Sequence, residues 1–72
     1  MEIYHGFGGD SGVSGYEIGD DYIKVQFTSG AQYLYTYSAT GIVHVNEMKQ
    51  LARSGSGLNG YINRYAKYAY AK

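Results

Sequence analysis

The stretch IKVQFTSGAQYLYTY, Ile23 to Tyr37, contains two runs in which apolar and polar residues alternate. Alternation with a period of two is typical of half-buried strands. The segment Thr28-Ser29-Gly30 between the two runs has the composition of a tight turn. The stretch therefore predicts an antiparallel β-hairpin, and the rest of the fold is built around it.

The length of the turn decides which residues of this hairpin face each other. A two-residue loop would pair Phe27 with Gln32 and place polar side chains beside the apolar face. A three-residue loop with Gly30 in the left-handed conformation keeps one face consistently apolar. This second register, which we predict, pairs Val25 with Tyr33 and Ile23 with Tyr35. It places Tyr33, Tyr35 and Tyr37 on the core side and leaves Lys24, Gln26, Gln32, Leu34 and Thr36 outside.

A further strand precedes the hairpin. The period of two begins at Val13 and ends at Ile18, before the turn Gly19-Asp20-Asp21. Residues 5–15 are rich in glycine and read as a loop, and we predict a flexible N-terminal arm over residues 1–12. Ile3-Tyr4 is compatible with one more short strand, but the predicted sheet is a three-stranded antiparallel meander.

Two helices are predicted after the sheet. Val45, Met48 and Leu51-Ala52 recur at helical spacing, and Gly55 ends that helix. Its start is left open, with Thr40 or Asn46 as the capping residue. The last helix is amphipathic. Its predicted core side is Leu58, Tyr61, Ile62, Tyr65 and Tyr68-Ala69, and its predicted outer side is Asn59, Asn63, Arg64, Lys67 and Tyr70. The expected fold is one α+β domain over residues 1–72, with both helices packed on one face of the sheet.

The composition limits the classes of protein to consider. A chain of 72 residues without cysteine has neither a disulfide framework nor a thiolate metal site. The N-terminus lacks the basic and apolar regions of a signal peptide, and no segment is long enough to span a bilayer. We therefore expect a soluble, cytoplasmic protein. Ten tyrosines and no tryptophan are unusual, and tyrosine rings can fill a small core while their hydroxyls reach water.

Gly55, Gly57 and Gly60 have the spacing of a dinucleotide-binding loop. That loop must follow a strand and needs an acidic residue about twenty positions later, but here it follows a helix and no acid comes after it. We therefore interpret these glycines as a helix–helix turn. A single anion near Arg53, at the start of the last helix, is the remaining alternative.

Three other patterns resemble catalytic or metal-binding motifs, but each lacks a feature that such a site needs. Gly9-Asp10-Ser11-Gly12 matches the nucleophile segment of chymotrypsin-like proteases, whose triad needs a far larger scaffold. His5 and His44 lack a second ligand at metal-binding spacing. Asp20-Asp21 is a turn rather than a catalytic pair. We predict no enzyme, no catalytic residue, no metal and no cofactor.

The charges divide the chain in two. Residues 1–47 hold all six acids and one base, a formal charge of −5, whereas residues 48–72 hold five bases and no acid, a charge of +5. A basic segment with interleaved aromatic residues favours RNA or another nucleic acid as the partner. The candidate nucleic-acid-binding or anion-binding residues are Arg53, Asn59, Arg64, Lys67, Tyr70 and Tyr37. The alternative is a protein-interaction or homodimerisation module in which the acidic half of one copy meets the basic half of another.

From Val13 to Tyr68 the chain also carries a series of short motifs. They are Val13 and Tyr16; Ile23, Val25 and Phe27; Gly30; Tyr33 and Tyr35; Leu51-Ala52; Ser54-Gly55; Leu58-Asn59; and Asn59 with Ile62. This series resembles the KTSC domain, a small module found at the C-terminus of some lysyl-tRNA synthetases and as a stand-alone bacterial protein. The resemblance implies an α+β domain and, through the attachment to a tRNA synthetase, an RNA partner. The family usually has Val-Pro after the central Y-x-Y motif, and this chain has no proline.

Overall fold

The computed structural model describes residues 1–9 and 12–71. Among these residues one antiparallel sheet has four strands in the order β1-β2-β3-β4, and three α-helices follow it. The strands are β1 (Glu2–Ile3), β2 (Val13–Ile18), β3 (Tyr22–Phe27) and β4 (Gln32–Thr36). The helices are α1 (Tyr37–Thr40), α2 (Ile42–Ser54) and α3 (Leu58–Tyr61). A 3-10 helical turn covers Phe7–Gly9, and a π-helical turn, Ile62–Ala66, continues α3. The α+β class and the antiparallel sheet agree with the prediction.

The β3–β4 hairpin has the predicted register, with Val25 opposite Tyr33 and Ile23 opposite Tyr35. The N–H of Phe27 donates to the carbonyl oxygen of Ala31 at 2.8 Å, which leaves a three-residue loop. Gly30 in that loop has a φ of 95°, which disfavours any residue with a side chain. The sequence pattern was therefore sufficient to place this hairpin.

The three tyrosines predicted for the core side have different surroundings. Tyr35 is 1% exposed and lies in the core, as predicted. Tyr33, nearer the turn, is 36% exposed and packs against the ring of Tyr70. Tyr37 is half-buried and begins α1 instead of continuing β4. The prediction is confirmed fully for Tyr35 alone.

The prediction of three strands is wrong, because Glu2–Ile3 adds a fourth strand at the edge of the sheet. Ile3 pairs with Gly15, and the N–H of Tyr4 donates to the carbonyl oxygen of Ser14 at 3.1 Å. A Cβ on Gly15 would lie 2.9 Å from the carbonyl oxygen of Glu2, so this close approach requires glycine. A strand of two residues is too short to show alternation in the sequence.

The described part of the predicted N-terminal arm is docked on the rest of the protein. The N–H of Phe7 donates to the carbonyl oxygen of Gly55 at 2.7 Å, and the rings of His5 and Phe7 stack at 5.2 Å. Asp10 and Ser11, which complete the protease-like motif, lie outside the described residues.

The prediction of two helices is also wrong, because the short helix α1 precedes the two predicted ones, and the helices begin differently. Thr36 caps α1, since its hydroxyl accepts a hydrogen bond from the N–H of Ala39 at 3.0 Å. Gly41, with a φ of 106°, separates α1 from α2, so neither Thr40 nor Asn46 caps α2. Thr40 instead donates its hydroxyl proton to the carbonyl oxygen of Ala69.

The core lies between the sheet and the helices. α2 ends at Gly55 as predicted, in the left-handed conformation, and buries Val45, Met48 and Ala52. Twelve hydrophobic residues of the described chain form one buried cluster. Its largest fully buried side chains are Tyr35, Ile23, Met48, Leu58, Val25 and Val45.

Candidate nucleic-acid interface

The C-terminal helical segment, residues 58–66, consists of α3 and the π-helical turn that continues it. Its first residue is fixed by a contact distant in sequence: the N–H of Leu58 donates to the hydroxyl of Tyr4 at 3.0 Å, inside the core. The residues buried along the segment are Leu58, Ile62 and Ala66, at a constant spacing of four. This row packs the segment against the rest of the core.

The predicted core and outer sides of this segment are partly wrong, and the π-helical turn accounts for the difference. Its i→i+5 hydrogen bonds make a wider turn than those of an α-helix, so the inward row does not follow the usual i, i+3, i+4, i+7 pattern. As a result Tyr65 is 56% exposed and Tyr68 is 75% exposed, although both were predicted to face the core. Tyr70, predicted to face outward, is half-buried.

The wider turn creates a surface that alternates charge and aromatic rings. Arg64 and Lys67 are exposed, and the tyrosines Tyr65 and Tyr68 each follow one of them in the chain. The ammonium nitrogen of Lys67 lies 5.6 Å from the centre of the Tyr68 ring. We call these four residues the basic–aromatic surface. Side chains of these types contact phosphates and stack on bases in single-stranded nucleic-acid complexes.

The ring of Tyr65 packs against the rings of two neighbours, His44 and Tyr61. The imidazole of His44 stacks on it with an interplanar angle of 22° and a centroid distance of 6.2 Å. Nδ1 of His44 in turn shares a hydrogen bond of 2.7 Å with the hydroxyl of Tyr61. Burial, with smaller contributions from Glu47 and Tyr65, raises the pKa of Tyr61 above its ordinary value. The Tyr61 hydroxyl is therefore protonated at neutral pH and keeps its hydrogen bond.

The electrostatic surroundings of the two basic side chains differ. Glu47 lines the same shallow depression as Arg64 and offsets part of the Arg64 charge. The two depressions that Lys67 lines contain no acidic side chain among the described residues. Lys67 is therefore the more available of the two for a phosphate.

Two other basic residues of the C-terminal half lie elsewhere. Arg53, a candidate from the sequence, is exposed in the last turn of α2 and lines a depression with the acids Glu2 and Glu17. Lys49 is 7% exposed, donates to the carbonyl oxygen of Asp20 at 3.0 Å and serves the fold. The charge of +5 counted along the sequence is thus not concentrated on one surface.

The remaining sequence candidates take part in packing. The hydroxyl of Tyr37 donates to Oδ1 of Asn46 at 2.8 Å. Asn59 is half-buried, and a Cβ on Gly12 would lie 2.5 Å from its amide group. Tyr70 packs on Tyr33 and Tyr35 but lines one cleft together with Lys67. The structure thus brings Arg64 together with Lys67, and Lys67 together with Tyr70, whereas Tyr37 and Asn59 contact other parts of the fold.

Sequence reasoning missed Tyr65 and Tyr68 because their spacing also fits the core side of an α-helix. The signal for the alternative was present in Ala66, a small residue that continues the row from Leu58 and Ile62 at intervals of four. That row allows close packing without the two tyrosines.

In residues 1–9 and 12–71, no group of three or more His, Asp or Glu side chains is arranged to hold a metal ion. None of the helices in the described part of the chain has both the length and the apolar character needed to cross a membrane.

No protein-family model, curated protein or solved structure matches the chain. The resemblance to the KTSC domain therefore stays an expectation that depends on the short motifs.

Proposed function

We propose that this protein is a non-enzymatic module that binds single-stranded RNA through the basic–aromatic surface. The observation that carries the proposal is the exposure of two tyrosine rings, 56% for Tyr65 and 75% for Tyr68, beside two exposed basic side chains. Exposed aromatic rings that alternate with cations match the chemistry of an unpaired strand, in which both bases and phosphates are accessible.

The basic residues supply the electrostatic part of this binding. When Arg64 and Lys67 neutralise two phosphates, the counterions condensed on the strand are released, and the affinity therefore falls as salt rises. Among the described residues, no acidic side chain lines the two depressions that Lys67 lines. The charge of Lys67 is therefore offset less than the charge of Arg64.

The tyrosines supply stacking. A base stacked on an aromatic side chain contributes about 1–3 kcal/mol, with little dependence on the sequence of the strand. The stacking of His44 on Tyr65 restricts the Tyr65 ring before any ligand binds, which reduces the entropy lost on binding. The resemblance to a module attached to tRNA synthetases supports RNA over DNA. The proposal includes a cytoplasmic location, since a chain without cysteine requires no oxidising compartment.

Fluorescence anisotropy with a labelled single-stranded RNA, measured over about 50 to 200 mM salt, tests this proposal. The double variant Arg64→Gln, Lys67→Gln should weaken binding and reduce the slope of log K against log salt by about 1.4, since each phosphate contact contributes about 0.7 for single strands.

The matched control is Lys24→Gln with Arg53→Gln, which removes the same charge from other parts of the surface. Equal losses in the two double variants would mean that net charge alone attracts the RNA, and would refute the proposed surface. Absence of binding by the unaltered protein at the lowest salt would refute the function itself.

A protein-interaction module is the second candidate. Ile42 and Val43, adjacent at the start of α2, are 55% and 75% exposed, and Ile3 on the edge strand β1 is 74% exposed. Exposed apolar side chains at a helix start and a strand edge are typical of contact surfaces. Sedimentation equilibrium at high protein concentration and low salt tests the homodimer, which a purely monomeric profile would rule out.

A further inference from the structure

A cleft of about 250 Å³ lies between the β3–β4 hairpin and the C-terminal helical segment. Five aromatic rings line it, those of Phe27, Tyr33, Tyr35, Tyr68 and Tyr70. The cleft is smaller than the roughly 300–1,000 Å³ of pockets for drug-sized ligands, so it suits a single small planar group.

Neighbouring rings of the cleft are inclined to one another rather than parallel. Tyr33 lies 4.6 Å from Tyr70 with an interplanar angle of 41°, and 5.7 Å from Phe27 with an angle of 68°. The segment that carries Tyr70 is tied to the edge of the sheet, because the N–H of Ala71 donates to the carbonyl oxygen of Leu34 at 2.6 Å. The walls of the cleft are therefore held by both the hairpin and the C-terminal segment.

The hydroxyl of Tyr35 is the most informative group in the cleft. Tyr35 is 1% exposed, and its hydroxyl has no hydrogen-bond partner among residues 1–9 and 12–71. No fully enclosed side-chain oxygen or nitrogen in this part of the chain lacks a partner, so the Tyr35 hydroxyl is open to the cleft that the residue lines. A hydroxyl at the wall of an aromatic cleft that bonds no other group of the described chain is free to donate to a ligand in that cleft, since such clefts combine apolar walls with a few polar groups.

The protonation state of this hydroxyl is also defined. Burial, together with the neighbouring Tyr33 and Tyr70, raises the pKa of Tyr35 to about 12. The group therefore remains a hydrogen-bond donor throughout the physiological range.

We propose that the cleft takes one unstacked nucleobase of the RNA strand held on the basic–aromatic surface. The base lies among the tyrosine rings, its polar edge meets the hydroxyl of Tyr35, and Lys67 contacts the adjoining phosphate. Lys67 and Tyr68 line the cleft and also belong to the basic–aromatic surface, so the two sites are continuous. This inference rests on the proposed function and adds to it a specific site for one nucleotide.

The charge at the rim separates this ligand from the main alternative. Clefts lined by aromatic rings also bind quaternary ammonium groups through cation–π attraction. Lys67 at the rim repels such a cation and attracts the phosphate of a nucleotide. The charge of the cleft therefore favours a nucleotide.

Backbone-amide NMR titration with adenosine and uridine 5′-monophosphates at low salt tests the inference. We expect shifts at Ala31, Tyr33 and Asn63, which line the cleft. Tyr35→Phe keeps the ring but removes the hydroxyl, and should weaken nucleotide binding about fivefold, as expected for one neutral hydrogen bond. Its melting temperature should equal or exceed that of the unaltered protein, because the lost hydroxyl had no partner. The control Tyr22→Phe removes a hydroxyl that bonds Glu17 at the surface and should leave nucleotide affinity unchanged.

A second variant, Ala31→Leu, fills the cleft from the hairpin side and should abolish the shifts there. Nucleotide affinity that is unchanged in both Tyr35→Phe and Ala31→Leu would overturn the inference. Shifts confined to Tyr65 and Tyr68, with RNA still bound, would remove the cleft but leave the proposed function. Shifts of the cleft by nucleotides without any RNA binding would support the cleft and refute the proposed function. Cleft shifts caused by tetramethylammonium and not by nucleotides would overturn the inference.

Discussion

Replacing Tyr4 with phenylalanine tests how the N-terminal segment holds the C-terminal helical segment. The hydroxyl of Tyr4 accepts a hydrogen bond from the N–H of Leu58 at 3.0 Å, across 54 positions of sequence. Tyr4 is 4% exposed and Leu58 is fully buried, so water cannot take the place of the lost hydroxyl. The variant keeps the ring and its packing but leaves a buried N–H without this acceptor.

The expected loss follows from the cost of an unpaired buried donor, which is about 1–3 kcal/mol. The free energy of unfolding of a small domain is only about 0.05–0.15 kcal/mol per residue, so a loss of this size is a large fraction of the total. For a domain of 60–100 residues each kcal/mol corresponds to roughly 4–8 °C in melting temperature. We therefore expect a fall of roughly 8–16 °C for a loss of about 2 kcal/mol.

Urea unfolding followed by circular dichroism measures the change, with an unaltered m value as the sign of an unchanged fold. The matched control is Tyr22→Phe, whose lost hydroxyl bonds the carboxylate of Glu17 at the surface, and we expect a change within about 0.5 kcal/mol. Equal stabilities of the Tyr4 and Tyr22 variants would refute the reasoning, because the buried contact would then be no more important than a surface one.

Three further outcomes concern the fold. Gly60→Ala should stabilise the protein by about 0.5–1 kcal/mol in the same urea assay, since Gly60 lies within α3 and a Cβ there meets nothing within 4 Å. Gly15→Ala should detach β1, because the new Cβ would lie 2.9 Å from the carbonyl oxygen of Glu2; hydrogen exchange would show faster exchange at Tyr4. The pKa of Tyr35 is raised to about 12, above the ordinary value of 10.0, so its contribution to stability is complete below pH 10 and is lost as the pH rises to about 12. Unfolding free energies measured across that range should fall by up to about 1.4 kcal/mol per pH unit, and a flat profile would contradict the burial of Tyr35.

The parts of the fold that the sequence predicts well are those whose signals are local and repeated. The β3–β4 register follows from an alternation that only a three-residue loop preserves, together with Gly30. The inward face and the end of α2 follow from helical spacing and from Gly55. In both cases propensity, patterning and turn chemistry agree.

The parts that it misses depend on contacts between distant segments. β1 has two residues, and its position depends on the missing side chain of Gly15 rather than on a pattern of its own. The π-helical turn turns Tyr65 and Tyr68 outward, although an α-helical period accounts for the same residues on the core side. Ala66, 1% exposed, takes the inward position that an α-helical period assigns to Tyr65.

The same contrast between local patterns and distant contacts applies to the candidate site, which the sequence predicts only in part. Arg64 and Lys67 lie together on an exposed surface, as their spacing suggested. The aromatic partners beside them are Tyr65 and Tyr68, whereas Tyr70 is directed to the cleft by its contacts with Tyr33 and Tyr35. A charge count along the chain could not show that Lys49 is buried.

A backbone-amide NMR titration of the labelled protein with a mixed pool of single-stranded RNA, at about 50 and 200 mM salt, tests the central claim most directly. The claim predicts shifts that cluster on Arg64, Tyr65, Lys67 and Tyr68 and that fade at the higher salt. Absence of shifts at both salt concentrations, or shifts centred on Ile42 and Val43 without salt dependence, would contradict it.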